Sequence, residues 1–299
     1  MVTLTQLVRR NVKLFFKDKI MFFSSMITPI ILLVLYVTFL RDIYFQSVKS
    51  FVPEGVTLSN KIANGIVGNQ LMASLLSVIC VTVAFSSNML MVQDKTSGVR
   101  KDFTTSPVKN STLSLAYFIS SLFSTLLICY FAMFACFIYI ACIGWYLSFL
   151  DVILIIIDVF LLTFFGTTLS SIINVFLKTQ GQISAVATII SAGYGFISGA
   201  YMPLSQYNSG LRNVLMFLPG TYGTSLIKNH SLQGSFEAME KVSNMPIEAI
   251  NEINKSVDCT LVFFGNNVPQ WASYLVMLGA ISVLMGIYIL INKFVKQEA

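Results

Sequence analysis

The stretch Leu113–Leu150, LSLAYFISSLFSTLLICYFAMFACFIYIACIGWYLSFL, contains no charged residue. A helix needs about 20 apolar residues to cross about 30 Å of hydrocarbon, so this run is too long for a single crossing. Gly144-Trp145-Tyr146 breaks it and places two aromatics where amphipathic rings settle, at a membrane–water interface. Working outward, the same criterion predicts spans at Met21–Leu40, with Pro29 as a kink, at Asn64–Met91, at Val152–Leu177, at Gln182–Tyr201 and at Gln270–Asn292. With the run from Leu113 these make six. The predicted fold class is all-α and membrane-integral.

Composition agrees. A soluble domain carries about 25% charged residues, whereas this chain of 299 residues has 11%, with 56% hydrophobic. A soluble protein with an outsized core is excluded by surface-to-volume scaling at this length. The net charge of +6 does not point to nucleic acid, because the basic residues cluster between apolar runs as they do in cytoplasmic membrane loops. Arg9, Arg10, Lys13, Lys17 and Lys19 precede the first span, and Lys95, Arg100, Lys101 and Lys109 follow the second; Lys178, Lys293 and Lys296 fall on the same side. The opposite short loops hold Arg41, Lys49 and Lys61. The bias predicts both termini in the cytoplasm. No A-x-A-like site closes the first apolar run, which reads as a retained span. Cys80, Cys129, Cys136 and Cys142 lie in apolar runs and Cys259 in a polar loop, which is neither a disulfide framework nor a metal spacing. A Cys142–Cys259 bridge is conceivable, and buried free thiols fit better.

The first segment is amphipathic. At 100° per residue Leu4, Leu7, Val8, Val12, Phe15 and Phe16 share one face, and Arg9, Arg10, Lys13 and Lys17 the other. This is the pattern of a helix lying in the headgroup plane over residues 1–20, either as a simple positive anchor or as an elbow that also touches a cytoplasmic partner. After the second span comes Gln93–Pro107, QDKTSGVRKDFTTSP, in which Val99 and Phe103 lie four apart and face one way on a helix. Pro107 would end that helix, and Ser111 or Thr112 would cap the next span. A solvated loop explains the segment as well as a lever moved by a soluble partner does.

The segment resembles the coupling-helix region of the ABC type-2 exporter permease family, which reads D-K-x-x-G, then K-D-F, then S-P and K-x-S-T. Here Asp94, Lys95, Gly98, Lys101, Asp102, Phe103, Ser106, Pro107, Lys109, Ser111 and Thr112 carry it. Arg10-Asn11, Phe15-Phe16, Asp18-Lys19 and Thr28-Pro29 before it are also similar to that family, as are Ser198-Gly199-Ala200, Met202-Pro203, Pro219 and Tyr222 after it. Gln93 departs from the pattern, since many relatives have an acidic residue there. The resemblance implies one transmembrane domain over 1–299, with a coupling segment at 93–108 and an extracytoplasmic segment at 202–269 that re-enters the membrane at Leu211–Leu218. It implies that Asp94, Lys95, Gly98, Val99, Arg100, Lys101, Asp102 and Phe103 couple to a separate ABC ATPase subunit, present in two copies. A second permease copy, identical or related, would complete the path, in the plasma membrane of a bacterium and in contact with lipid. The chain has no G-x-x-x-x-G-K-[ST] phosphate loop; the resemblance therefore places ATP and Mg²⁺ on the partner, with no cofactor, catalytic residue or metal in this chain. The implied cargo is a hydrophobic drug, a peptide or a lipid.

Further candidates for the path or a dimer interface are Gly193, Gly195, Gly199 and Pro203, where small residues permit close helix approach or a break. Asp158 is the acid placed deep in an apolar span, about two turns from Asp151. It reads either as a substrate or proton group, or as a neutral acid bonded to a Ser, Thr or Tyr nearby. Asn229–Ser256, split at Met245-Pro246, reads as an outer cap or a solvated spacer, with His230 at its start lacking metal-ligand neighbours. An ion-coupled transporter stays open on Asp158. A polytopic membrane enzyme is disfavoured because H-x-x-x-x-D, D-x-x-D and H-E-x-x-H are all missing.

Overall fold

A computed structural model describes residues 2–36, 38, 41–50, 59–105, 108–243 and 246–294. The expectations placed on Leu40, Ser106, Pro107, Met245 and Lys296 lie outside these residues. The chain is helical nearly throughout: α1 Val2–Lys17, α2 Lys19–Leu35, α3 Arg41–Ser50, α4 Asn60–Thr96, α5 Val99–Thr105, α6 Asn110–Ile143, α7 Phe149–Phe176, α8 Gln180–Ile197, α9 Ser209–Leu215, α10 Pro219–Ser243, α11 Ile247–Ser256 and α12 Gln270–Phe294. A two-residue antiparallel ladder pairs Val262 with Asn267 and Phe263 with Asn266.

The hub is α4. Its 37 residues rise about 55 Å at 1.5 Å each, and α2, α3, α6, α7, α8 and α10 all pack on it. The helix is apolar or small on every face, which is what a fully enclosed helix requires. Gly166 of α7 sits against its backbone: a Cβ there would lie 3.0 Å from both the Cys80 carbonyl oxygen and the Val81 Cα. The outer faces of α6, α7 and α12 expose Phe131, Phe134, Phe149, Leu275, Val283 and Ile289. Such a surface suits hydrocarbon rather than water.

Among the described residues four helices, α4, α6, α7 and α12, are long and apolar enough to cross a membrane. The expected first and fifth spans are present as helices α2, of 17 residues, and α8, of 18 residues, which opens on Gln180 and Gln182. Tyr288 of α12 donates to the Ser114 carbonyl of α6 (3.0 Å), and Ser114 donates to Asn292 (2.7 Å). Because α1 also packs on α6 and reaches Asp94 at the end of α4, both described ends of the chain lie at one end of the bundle.

The helix of the second span continues past Met91 to Thr96 and includes Gln93, Asp94 and Lys95. Two expectations are corrected. Residues 229–243 are not a solvated spacer. They belong to α10, whose Leu226, Ile227, Leu232, Phe236 and Met239 are buried and which packs on α4, α7 and α12. Gly223 meets Leu162 and Met277, His230 meets Asp158 and Tyr274, and Gly234 meets Tyr146, so α10 runs antiparallel to both α7 and α12. The low hydropathy of α10 hid this, because its buried face is rich in Ser, Thr and Gly. All five cysteines are free; four are buried, but Cys142 is exposed, and no bridge joins it to Cys259.

Candidate functional site

Among the described residues, three clusters built on buried or half-buried charged side chains lie within the apolar bundle. The first joins α1, α4, α5, α6 and α7 at the end of the bundle that holds both described termini. Leu7, Asn11 and Phe15, four apart, form the buried stripe of α1, so this helix packs its apolar face on the protein. Arg10, expected on the solvent face, turns inward: Nη1 donates to Asp94 Oδ2 (2.6 Å) and Nη2 to Oδ1 (3.1 Å). That bond holds the guanidinium above its ordinary value. Tyr117 also donates to Asp94, and the Arg10 guanidinium lies over the Phe103 ring at 5.1 Å.

Lys95 reaches from α4 to the end of α7, donating to the carbonyls of Asn174 (3.1 Å) and Val175 (2.8 Å). The last turn of α7 has no basic residue of its own. Lys95 therefore supplies the cation that helix end favours. Ser97 and Gly98 then turn the chain into α5, with Gly98 at φ +82°. A Cβ on Gly98 would meet nothing within 4 Å. Gly98→Ala should therefore cost only the left-handed backbone penalty, about 1–2 kcal/mol. Chemical unfolding of the two proteins, with Gly98→Asn falling between them, checks this.

The eight expected coupling residues thus divide. Asp94 and Arg100 are buried rather than outward, and Lys95 is half-buried and bonded within the chain. Their helical spacing decides this: Asp94 lies on the enclosed face of α4, and Arg100 faces Tyr117, Tyr288 and Asp94. Burial pulls the Arg100 guanidinium down from its ordinary value, and its Nε and Nη1 have no hydrogen-bond partner among the described residues. Asp102 is exposed, as are Thr96, Ser97 and Thr105 around it; Gly98, Val99 and Phe103 are half-buried. Lys101 lies within α5.

The second cluster organises the end of α8. Lys228 of α10 is wholly enclosed and donates from Nζ to the Gly199 carbonyl (2.7 Å) and to Asp258 Oδ2 (3.4 Å). Asp258 also accepts from the backbone N–H of Leu204 (2.6 Å) and of Ser205 (3.2 Å). Gly199, at φ +76°, has room for no side chain, since a Cβ would lie 3.0 Å from Asp258 Oδ2. Pro203 precedes the short turn Leu204–Gln206. Gly195 faces the Tyr201 ring directly, whereas Gly193 has no neighbour nearer than Ile197 at 4.0 Å. Sequence reading found Gly199, Gly195 and Pro203 but missed Lys228 and Asp258. A lysine amid Leu226, Ile227, Ser231 and Leu232 was the available signal.

The third cluster contains Asp158. Its Oδ2 lies 2.6 Å from His230 Nδ1, and its Oδ1 accepts from Tyr274 (2.8 Å). Asp151, the other acid of that face, closes the capping box of α7 with Ser148 instead. A tyrosine is among the partner types expected for Asp158; the histidine was not foreseen, because α10 was taken for an outer segment. Among the described residues no three His, Cys, Asp or Glu side chains gather as a metal site.

A family model described as ABC-2 type transporter matches residues 3–229, which include the first cluster, all of α8 and the start of α10. No curated protein matches the chain.

Proposed function

The chain belongs to the ABC-2 type transporter family, as the permease subunit of an ABC transporter, and from that premise we propose that it forms the export path of a dimer driven by a separate ABC ATPase. Six crossings, α2, α4, α6, α7, α8 and α12, would place both termini in the cytoplasm of a bacterial cell. On this reading α1 is an elbow at the headgroup plane, α5 is the coupling helix, and α9 with α10 re-enters from outside. Two ATPase copies would hold ATP and Mg²⁺, and the second permease copy would pack against the exposed side of α8 that includes Gly193.

The observation that supports this best is the way α5 is fastened. A helix that is to transmit force must not slide on the bundle. Here the Arg10–Asp94 pair holds α1 to α4, Lys95 ties α4 to α7, and Arg10 covers Phe103 of α5. A push on the exposed side of α5 is thereby delivered to three long helices together. The cargo that the family resemblance implies is a hydrophobic drug, a peptide or a lipid.

Asp102 is a charged and exposed residue of α5, and none of the bonds described for the first cluster uses its side chain. Asp102→Lys should leave the melting temperature of the purified permease unchanged. It should lower permease-stimulated ATP hydrolysis by the co-reconstituted ATPase at least about tenfold, equivalent to about 1.4 kcal/mol. Unchanged stimulation by that variant would remove α5 as the coupling element.

A further inference from the structure

The hydrogen-bond chain around His230 fixes its protonation state. Asn229 Nδ2 donates to the Cys259 carbonyl (3.2 Å), so the other face of that amide presents Oδ1. Gln270 Nε2 lies 2.9 Å from Asn229 Oδ1 and must be the donor. The same Nε2 lies 2.7 Å from His230 Nε2, which must then be the acceptor. His230 is accordingly the neutral tautomer with its proton on Nδ1, and that proton goes to Asp158 Oδ2. When ionised, the Asp158 carboxyl, which accepts from Tyr274 as well, carries a negative charge without a cation inside the bundle, an arrangement that is costly at membrane depth.

Gln270 and Asn229 also line a cavity of about 320 Å³ with Ser225, Thr260, Asn267 and Ser273. This space, large enough for water, is bordered by Gln270, whose amide contacts His230 Nε2. A proton arriving there would turn the pair into imidazolium and carboxylate and cancel the buried charge. It would also make Nε2 a donor facing the donor Nε2 of Gln270. The amide must then rotate to offer Oε1, which sets oxygen against Asn229 Oδ1 and breaks that link between α10 and α12.

We propose that His230 is a reversible proton-binding site reached from this cavity, and that its protonation unlatches Gln270 of α12 from Asn229 of α10. On α7 the facing group is Asp158, with Asp151 held by Ser148; on α12 it is Tyr274; α4 has no ionisable side chain between Ile62 and Ile79. The neighbouring Lys228 of α10 is committed to Gly199 and Asp258, and the loop beside the cavity contributes the buried Cys259 thiol. The inference does not depend on the direction of transport or on the cargo.

His230 is the single histidine of the chain, so ¹⁵N-histidine labelling of the full protein, without a histidine tag and in lipid nanodiscs, gives one imidazole spectrum. At pH 8 the expected result is a protonated Nδ1 and a bare Nε2. Acidification to pH 5, across the range where imidazoles change charge, should abolish the bare-nitrogen resonance. Gln270→Glu, which offers an acceptor to Nε2, should keep the ring doubly protonated to higher pH. A proton on Nε2 at pH 8, a bare Nε2 persisting at pH 5, or a Gln270→Glu spectrum identical to the parent would each overturn the proposal.

Discussion

Replacing Lys228 with Met should lower the stability of the folded chain by about 3–5 kcal/mol, while the double change Lys228→Met with Asp258→Asn should recover most of that loss. The Lys228 side chain is 0% exposed, and its ammonium is the countercharge of a carboxylate that is 6% exposed. Without it, Asp258 keeps two backbone N–H donors but no cation, and the Gly199 carbonyl loses its partner. A buried charge stripped of its partner costs several kcal/mol, whereas removing both charges leaves a neutral site that packs at little cost. Thermal unfolding of the four proteins in one detergent gives the double-mutant cycle. If the two single losses simply add in the double variant, the pair is not what holds the end of α8 to α10. Because that pair holds the Gly199 turn, transport should fail in the Lys228 variant and return in part in the double.

The reason this pair escaped sequence reading is general to the fold. Hydropathy finds helices that meet lipid, and it placed α6, α7 and α12 from their long apolar runs. It also found the enclosed α4, which is apolar, but it is silent on α10, whose buried face is polar. In α10, Thr221, Thr224, Ser225, Lys228 and Ser231 are buried, yet each lowers the average on which a span is recognised. Charge was read by its usual exposure, so Arg10 was placed on the polar face of its helix, and nothing in the sequence marked Asp94 and Arg100 as buried. Their pairing joins residues 84 positions apart in the case of Arg10 and Asp94, a separation no local pattern can carry. Gly98 was legible because a turn between two helices demands a residue that tolerates positive φ. Motif order found the elements around the first cluster, and only the packing of α1 on α6 could say which side chains turn inward.

The glycines were grouped by sequence, but they separate by what a methyl group would meet, and Gly234→Ala should be the most damaging of them. A Cβ on Gly234 would fall on the Tyr146 carbonyl oxygen, and it would lie 2.8 Å from the carbonyl carbon. Both are backbone atoms of the connector between α6 and α7, which cannot rotate out of the way. Gly65 of α4 closes on the same Tyr146 from its ring, 2.6 Å from where a Cβ would stand, and Asn69 of α4 donates to Ser235 beside it (2.9 Å). The connector is thus clamped between α4 and α10. Overfilling a packed interior costs about 1–3 kcal/mol when side chains can shift; with backbone as the obstacle, Gly234→Ala should reach or exceed about 3 kcal/mol. Gly65→Ala should cost less, since an aromatic ring can swing. Gly193→Ala, whose methyl group would meet only Ile197 at 4.0 Å, should leave the unfolding midpoint of the monomer unchanged or raise it, because alanine favours the helix by about 1 kcal/mol. Measured side by side, an order of loss Gly234 over Gly65 over Gly193 follows from the packing of α10 against the connector; equal losses at Gly234 and Gly193 would mean that α10 does not enter the bundle. The Gly193 variant also separates two roles, since a normal midpoint with weakened self-association would place the second permease copy against α8.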